Sequence, residues 1–244
     1  MAINTRDTAE LDHFKNLSST WWSEGGPFRI LHAITPLRMA FIKENIGVHF
    51  RLPEISSRPF QGLRILDVGC GGGLLCGPLA RLGAEVTGID PLEENTLIAQ
   101  NHAEAMGLPI TYLASTIEDL SPDLPPFDVV IASEIIEHVA DPDGFLRECA
   151  NHLSSRGGMV VTTFNKTLKS YLLGIIAAEY ILGWAPRGTH SWKKFISPRD
   201  LSLQLKELGL RNQALTGLYF SPLSGDWRLS PVTDVNYFMW AARS

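Results

Sequence analysis

The segment Arg64-Ile65-Leu66-Asp67-Val68-Gly69-Cys70-Gly71-Gly72-Gly73 constrains the fold more than any other part of the chain. A short apolar run ends in an acid and opens into a glycine loop. Leu74–Leu82 then reads as a helix, and a second apolar run, Glu85–Ile89, ends in another acid, Asp90. The result is a β-loop-α-β unit with a carboxylate at the tip of each strand. Such a unit belongs to a parallel sheet and places a small nucleoside-bearing ligand at the edge where the glycine loop lies.

The alternation continues. Further strands are predicted at Ile110–Ala114, Asp128–Ala132 and Met159–Phe164, with helices at Glu93–Met106 and Asp143–Leu153 between them. Alternating strands and helices imply a doubly wound α/β sheet. Gly157-Gly158 is expected to cap the last of these helices in a left-handed turn. Residues 1–60 read as an N-terminal helical extension and linker, with apolar Leu37, Ala40, Phe41 and Val48 on a helix that Pro36 would begin. Arg51–Gln61, with Pro53 and Pro59, is the linker. Residues 61–244 form the main domain, interrupted at 166–196 by an apolar insertion. Ser197-Pro198 opens a helix that runs to Glu207 and closes at Gly209, and two late strands near Arg211–Tyr219 and Val235–Ala242 should pair at the sheet edge.

Of 244 residues, 45% are hydrophobic, enough for a large core, and the net charge is −5. No long basic run is present, so nucleic acid is not an expected partner. The three cysteines, Cys70, Cys76 and Cys149, form no CxxC pair and read as free thiols in a reducing compartment. Residues 1–20 are polar and carry Asp7, Glu10 and Asp12, unlike a signal or transit peptide.

Glycines at 69, 71, 72 and 73 let the backbone turn sharply and approach a ligand. The dinucleotide fingerprint fits only in part, because Leu74 holds its third glycine position, and no GK[ST] follows for a Walker loop. What fits is D-x-G-x-G-x-G from Asp67 to Gly73. A pyrophosphate would be repelled by the acid before the loop, whereas a ligand with an ammonium and a sulfonium would favour it. Asp90 can accept both ribose hydroxyls. Together these residues resemble a class I S-adenosylmethionine-dependent methyltransferase. That resemblance implies a Rossmann-like fold with a seven-stranded, mostly parallel sheet whose last strand is antiparallel. It also implies that Thr116 and Ile117 line the adenine and that Ser133 sits beside the methionine part. Thr116 and Glu118 would serve equally as local capping residues.

Ser133-Glu134-Ile135-Ile136-Glu137-His138 follows the fourth strand. If it is helical, Glu134, Glu137 and His138 share one face. Such a trio could hold a divalent ion (Mg, Mn or Zn), which would lower the pKa of a coordinated phenol from about 10. Alternatively His138 is a general base, or the pair only shapes the loop.

The flanking regions narrow the resemblance. They comprise Trp21-Trp22, His32-x-x-x-Pro36-Leu37-Arg38, Glu179-Tyr180-Ile181-Leu182, Gly188-Thr189-His190-x-Trp192-Lys193-Lys194-Phe195-Ile196, Gly217-Leu218-Tyr219 and Asp234-Val235-Asn236-Tyr237. In this order they resemble the ubiquinone-biosynthesis O-methyltransferases over about residues 14–240. The resemblance implies O-methylation of polyprenylated catechol-type and demethylubiquinol-type intermediates at two steps. It assigns Arg38, Gly69, Asp90 and Ser133 to the cofactor, joining Asp67 and Gly71 of the loop. Glu134, Glu137 and His138 match the family's metal cluster, with Glu137, His138 and His190 as candidate catalytic groups. Thr35, Ser191 and Phe220-Ser221-Pro222 depart from the family pattern and bear on the substrate lid.

Tyr171–Trp184 (YLLGIIAAEYILGW) is too short to span a bilayer, which takes about 20 residues. Lys166, Lys169, Arg187, Lys193 and Lys194 flank it, which suits an interfacial lid; a dimer interface or core packing would bury it equally. The implied location is cytoplasmic, peripheral at the inner membrane, or the matrix face of a mitochondrion, with other enzymes of the pathway as partners. Two rivals stay open: a methyltransferase for another small phenol or acid, and a non-catalytic cofactor-binding scaffold.

Overall fold

The computed structural model describes residues 15, 17–23, 25–53, 55–173, 175 and 191–243. Helix α1 (Arg29–Phe50) precedes β1 (Arg64–Val68), α2 (Cys76–Arg81), β2 (Glu85–Asp90), α3 (Glu93–Ala105), β3 (Ile110–Ala114), β4 (Phe127–Ser133), α4 (Pro142–Asn151) and β5 (Leu153–Phe164). Then come α5 (Pro198–Glu207), β6 (Arg211–Ser221), β7 (Asp226–Ser230) and β8 (Asn236–Ala242). The strands form one sheet in the order β3-β2-β1-β4-β5-β8-β6-β7. Strands β1 to β5 pair in parallel, and β8 runs antiparallel to both β5 and β6. The strand order reverses between β1 and β4, so a crevice opens at their carboxyl ends.

Period-two alternation divides the core into two layers. From β1, β4 and β5, Ile65, Val129, Ile131 and Val160 face Phe41, Ile42 and Ile46 of α1 and Leu79 of α2. Their neighbours Leu66, Val130, Ala132 and Val161 face Phe145 and Leu146 of α4 and Leu201 and Leu205 of α5. Each fully buried Phe, Leu or Ile contributes about 1.5–3 kcal/mol. The N-terminal helix is therefore one wall of the main core, and this brings a residue of α1 to the sheet edge.

Three sequence expectations are corrected. The sheet has eight strands rather than seven, because Asp226–Ser230, inside the long connection between the late strands, adds as β7 against β6. Helix α1 begins at Arg29, so Pro36 lies inside it. Proline has no N–H to give the His32 carbonyl, but the Thr35 hydroxyl donates to the Leu31 carbonyl at 2.7 Å one position away, and buried Ile34 and Phe41 hold the helix on either side of the proline. Gly157 and Gly158 do not cap α4, which ends at Asn151. They lie within β5, where a Cβ on Gly158 would strike the Trp240 ring. Gly209, by contrast, closes α5 in the left-handed region, with φ 80°.

Candidate functional site

The glycine loop hangs from the tip of β2. The N–H groups of Gly69 and Cys70 both donate to the Ile89 carbonyl, at 2.8 and 2.9 Å. Gly69 and Gly71 take φ of 69° and 52°, and a Cβ would strike Ile135 at the first and Trp21 at the second. Only glycine meets both demands. Asp90 is buried, and its carboxylate is ringed by donors. Oδ2 accepts from Gly71 N, and Oδ1 accepts from Leu92 N and Asn95 Nδ2, all at 3.0 Å. Burial raises its pKa, and these three hydrogen bonds oppose the rise.

The chain before α1 covers this loop. Trp21 is buried, stacks on Phe28 with ring centroids 3.7 Å apart, and donates its indole N–H to Asn95 Oδ1 at 2.9 Å. Trp22 donates to the Gly72 carbonyl at 3.1 Å and stacks on His102.

Asp67 is the penultimate residue of β1, and the Cys76 thiol donates to its Oδ2 at 3.2 Å. Burial pushes the carboxyl up to about 7, against the pull of that thiol and of the Arg38 guanidinium. Burial also pushes the Cys70 thiol up to about 11, which keeps it a neutral filler of the turn rather than a reactive thiolate. All three cysteines are free and buried.

On the β4 side the polar groups are far less satisfied. Arg38 reaches from α1 to the sheet edge at 3% exposure, and neither Nε nor Nη2 makes a hydrogen bond. Its closest acid, Glu134 Oε1, stands 3.8 Å from Nη2. Burial lowers the Arg38 pKa, while Glu134, Asp67 and Glu137 oppose this. Glu134 takes a left-handed φ of 54°, unusual for a residue with a side chain. Its Oε1 accepts from the Thr162 hydroxyl at 2.7 Å, and its N–H donates to the Thr162 carbonyl at 2.9 Å. Ser133 Oγ lies 2.9 Å from Thr162 Oγ1. Glu137 is 2% exposed, and neither carboxylate oxygen completes a hydrogen bond. Burial pushes this carboxyl well above the ordinary range. The Glu134 charge adds to the rise, and the Thr163 hydroxyl and Arg38 offset it only in part.

The predicted shared helical face of Glu134, Glu137 and His138 is not present. Residues 134–140 form turns and bends, not a helix. Two facts explain this: the left-handed backbone at Glu134 and the short His138 N–H to Ile135 carbonyl bond of 2.9 Å, a turn rather than a helical span. Among the described residues no group of three His, Cys, Asp or Glu side chains is placed to hold a metal ion, and the Arg38 guanidinium already acts on both carboxylates through its charge. These residues do not fit the predicted metal, and no step is assigned to one. Arg38, Asp67, Glu134 and Glu137 do come together, with Ser133 alongside. Thr116 bonds locally, its hydroxyl donating to Asp119 Oδ2 at 3.1 Å, as capping would have it, and Ile117 is packed into the core. His190 lies outside the described residues. Sequence reasoning did not single out Asn95, Thr162, Thr163 or Cys76; Asn95, five positions after Asp90 at a helix start, carried the nearest thing to a signal.

A cofactor with a sulfonium, an ammonium, a carboxylate and a ribose fits this site. The guanidinium of Arg38, which completes no hydrogen bond at Nε or Nη2, suits a carboxylate, and the loop glycines leave no Cβ against it. A methyltransferase-domain family model matches residues 47–215. A ubiquinone biosynthesis O-methyltransferase of Methylocella silvestris is 46% identical over 242 residues, covering 97% of this chain and 94% of the relative. That of Parvibaculum lavamentivorans is 45% identical over 243 residues, covering 100% and 96%. Among solved structures, the magnesium protoporphyrin IX methyltransferase of Synechocystis with bound S-adenosylhomocysteine superposes with a TM-score of 0.68 at 20% identity, covering 98% of each chain.

Proposed function

The chain belongs to the ubiquinone biosynthesis O-methyltransferase family, and we propose that its acceptor is a ring hydroxyl of a polyprenylated catechol or quinol, methylated at both O-methylation steps of ubiquinone formation. S-adenosylmethionine supplies the methyl as an electrophilic carbon on a sulfonium. The observation that carries the reading is the buried, incompletely paired Arg38 guanidinium beside the glycine loop, which calls for an anionic partner. Arg38 would bind the cofactor carboxylate, Asp67 would face its cationic end, and Asp90 with the Gly69–Gly71 turn would hold the ribose.

The acceptor must lose a proton as its oxygen attacks. Glu137 is the group placed for that work, because both its oxygens lack hydrogen bonds in a water-poor site. A carboxyl raised by burial is a stronger base than an exposed one, and it takes the proton of a bound phenol once ionised. Arg38 and Glu134 hold its field in place, and His138 stands in the same turn. Transfer then depends on alignment and water exclusion, with no covalent enzyme intermediate.

A lipid-borne substrate needs a route from the membrane. Leu168 is 72% exposed, and Tyr171, Leu172, Leu173 and Trp192 are also exposed. Lys166 lies over the Trp192 ring at 5.7 Å, and Lys169 pairs with Asp234 at 3.2 Å. Exposed apolar side chains among lysines suit an anionic lipid surface. The remainder of the predicted lid, 174 and 176–190, lies outside the described residues.

The deciding assay follows methyl transfer by mass spectrometry from S-adenosylmethionine to a short-prenyl catechol. Methylated product is the expected result. S-adenosylhomocysteine binding without turnover on any catechol would leave only the scaffold reading, and turnover on unprenylated phenols alone would shift the acceptor class. Lys193→Glu with Lys194→Glu should weaken binding to anionic liposomes; unchanged binding would remove the lipid role.

A further inference from the structure

The ribose-side acid Asp90 is tied to the N-terminal strap through one side chain, and the direction of that tie is fixed by chemistry. Trp21 Nε1 can only donate, so the Asn95 atom 2.9 Å away must be its carbonyl oxygen. The Asn95 amide nitrogen is thereby turned toward Asp90 Oδ1, 3.0 Å away. All three residues are buried, at 9, 3 and 6% exposure. Trp21 is also the residue whose ring lies on Gly71 and Gly72, and Gly71 N donates to the other Asp90 oxygen. Strap, loop and acid thus close a ring of contacts around the place where a ribose would bind. A carboxylate offers about four acceptor positions, and protein donors occupy three of those on Asp90. The remaining position, on Oδ2, is the one left for a ribose hydroxyl.

We propose that Asn95 is a positioning residue for the cofactor ribose, and that through it Trp21 latches the N-terminal strap over the occupied site. This rests on the reading of Asp90 as the ribose acid. Asn95 keeps the carboxylate turned so that Oδ2 faces the loop, while the Trp21 ring excludes water from the same edge. Cofactor release then requires the strap to lift, which breaks the indole–amide bond.

The test measures S-adenosylhomocysteine affinity by calorimetry and its release rate by stopped-flow tryptophan fluorescence, for the wild type, Trp21→Phe, Asn95→Ala and the double variant, with thermal melting to confirm folding. Trp21→Phe keeps an aromatic ring over the loop and deletes only the donor. It should speed release about fivefold, and Asn95→Ala should weaken affinity about tenfold. The double variant should be no worse than Asn95→Ala alone, because the indole acts through the amide. With a 2′-deoxyribose analogue of the ligand, the affinity gap between wild type and Asn95→Ala should shrink. Additive losses, or an equal gap for both ligands, would overturn the latch and leave plain packing. If Asn95→Ala does not fold, an unchanged release rate in Trp21→Phe overturns it. A wild type that fails to bind S-adenosylhomocysteine at all would instead remove the cofactor reading on which the proposal stands.

Discussion

The two halves of the crevice are built on opposite principles. On the β2 side, Asp90 is surrounded by Gly71 N, Leu92 N and Asn95 Nδ2, and two tryptophans seal the loop. On the β4 side, Arg38 Nε and Nη2, both Glu137 oxygens and Thr163 Oγ1 are buried without hydrogen bonds. Buried polar groups are normally paired, and each exception costs about 1–3 kcal/mol. The saturated half can wait for its ligand at little cost. The unsaturated half stores unfavourable energy that a bound cofactor and acceptor would relieve. The first half selects by shape, and the second by charge.

The comparison breaks most clearly at Glu137. If its empty oxygens serve proton removal, Glu137→Gln should lower kcat by about 10³-fold while the cofactor Kd stays within about threefold. The wild-type kcat should rise with pH, since the carboxyl is held above its usual range and must ionise before it can accept a proton; the Gln variant should lose that dependence. A loss of activity on chelation that added divalent ion restores would place a cation there instead.

Asp67, at the boundary of the two halves, tests the cost of holding acids in readiness. Its folded pKa of about 7 lies above the ordinary 3.8, so the folded state binds the proton more tightly than the unfolded one. That preference stabilises the fold at low pH and is lost as pH rises through the folded value. Asp67→Asn, which never ionises, should therefore gain on the wild type by about 4 kcal/mol at mildly alkaline pH and by less than about 1 kcal/mol near pH 4. Thermal melting of the ligand-free protein at the two pH values checks this, and an equal gain at both would refute it. The same variant should bind cofactor worse.

The two halves were also unequally legible in the sequence. Asp67, Gly69, Gly71 and Asp90 could be read because their roles are backbone roles: strand tips and left-handed turns leave a local pattern. The charge cluster could not be assembled that way. Arg38 lies 96 residues before Glu134, and nothing local says that α1 crosses the core to bring them within 3.8 Å; the family resemblance supplied it. The face that Glu134, Glu137 and His138 would share on a helix did not form, because periodicity does not register a single left-handed residue at Glu134. Pro36 misled in a similar way: its usual place at a helix start gave way to tertiary burial of Ile34 and Phe41. Thr163 carries no sequence signal, and Asn95 only its place five positions after Asp90 at a helix start, since their importance comes from what other strands and the strap set beside them.

Two smaller substitutions sharpen the contrast on the charged side. Arg38→Met keeps much of the apolar stem and deletes the cation. It should weaken S-adenosylmethionine binding by about thirtyfold, or roughly 2 kcal/mol, with less effect on a ligand that lacks the carboxylate. Equal losses for both ligands would make Arg38 a structural counter-charge for Glu134. Thr163→Val should have the smallest effect. The hydroxyl is fully buried, and neither it nor Glu137 completes a hydrogen bond, so its removal should change stability by less than about 1 kcal/mol. Its dipole still favours an ionised Glu137. Without it the kcat–pH curve should move to higher pH by about half a unit, with the plateau unchanged. A curve that stays in place would mean that Glu137 does not govern the pH dependence, and the proton would have to leave by way of another group in the same turn, with His138 the first to test.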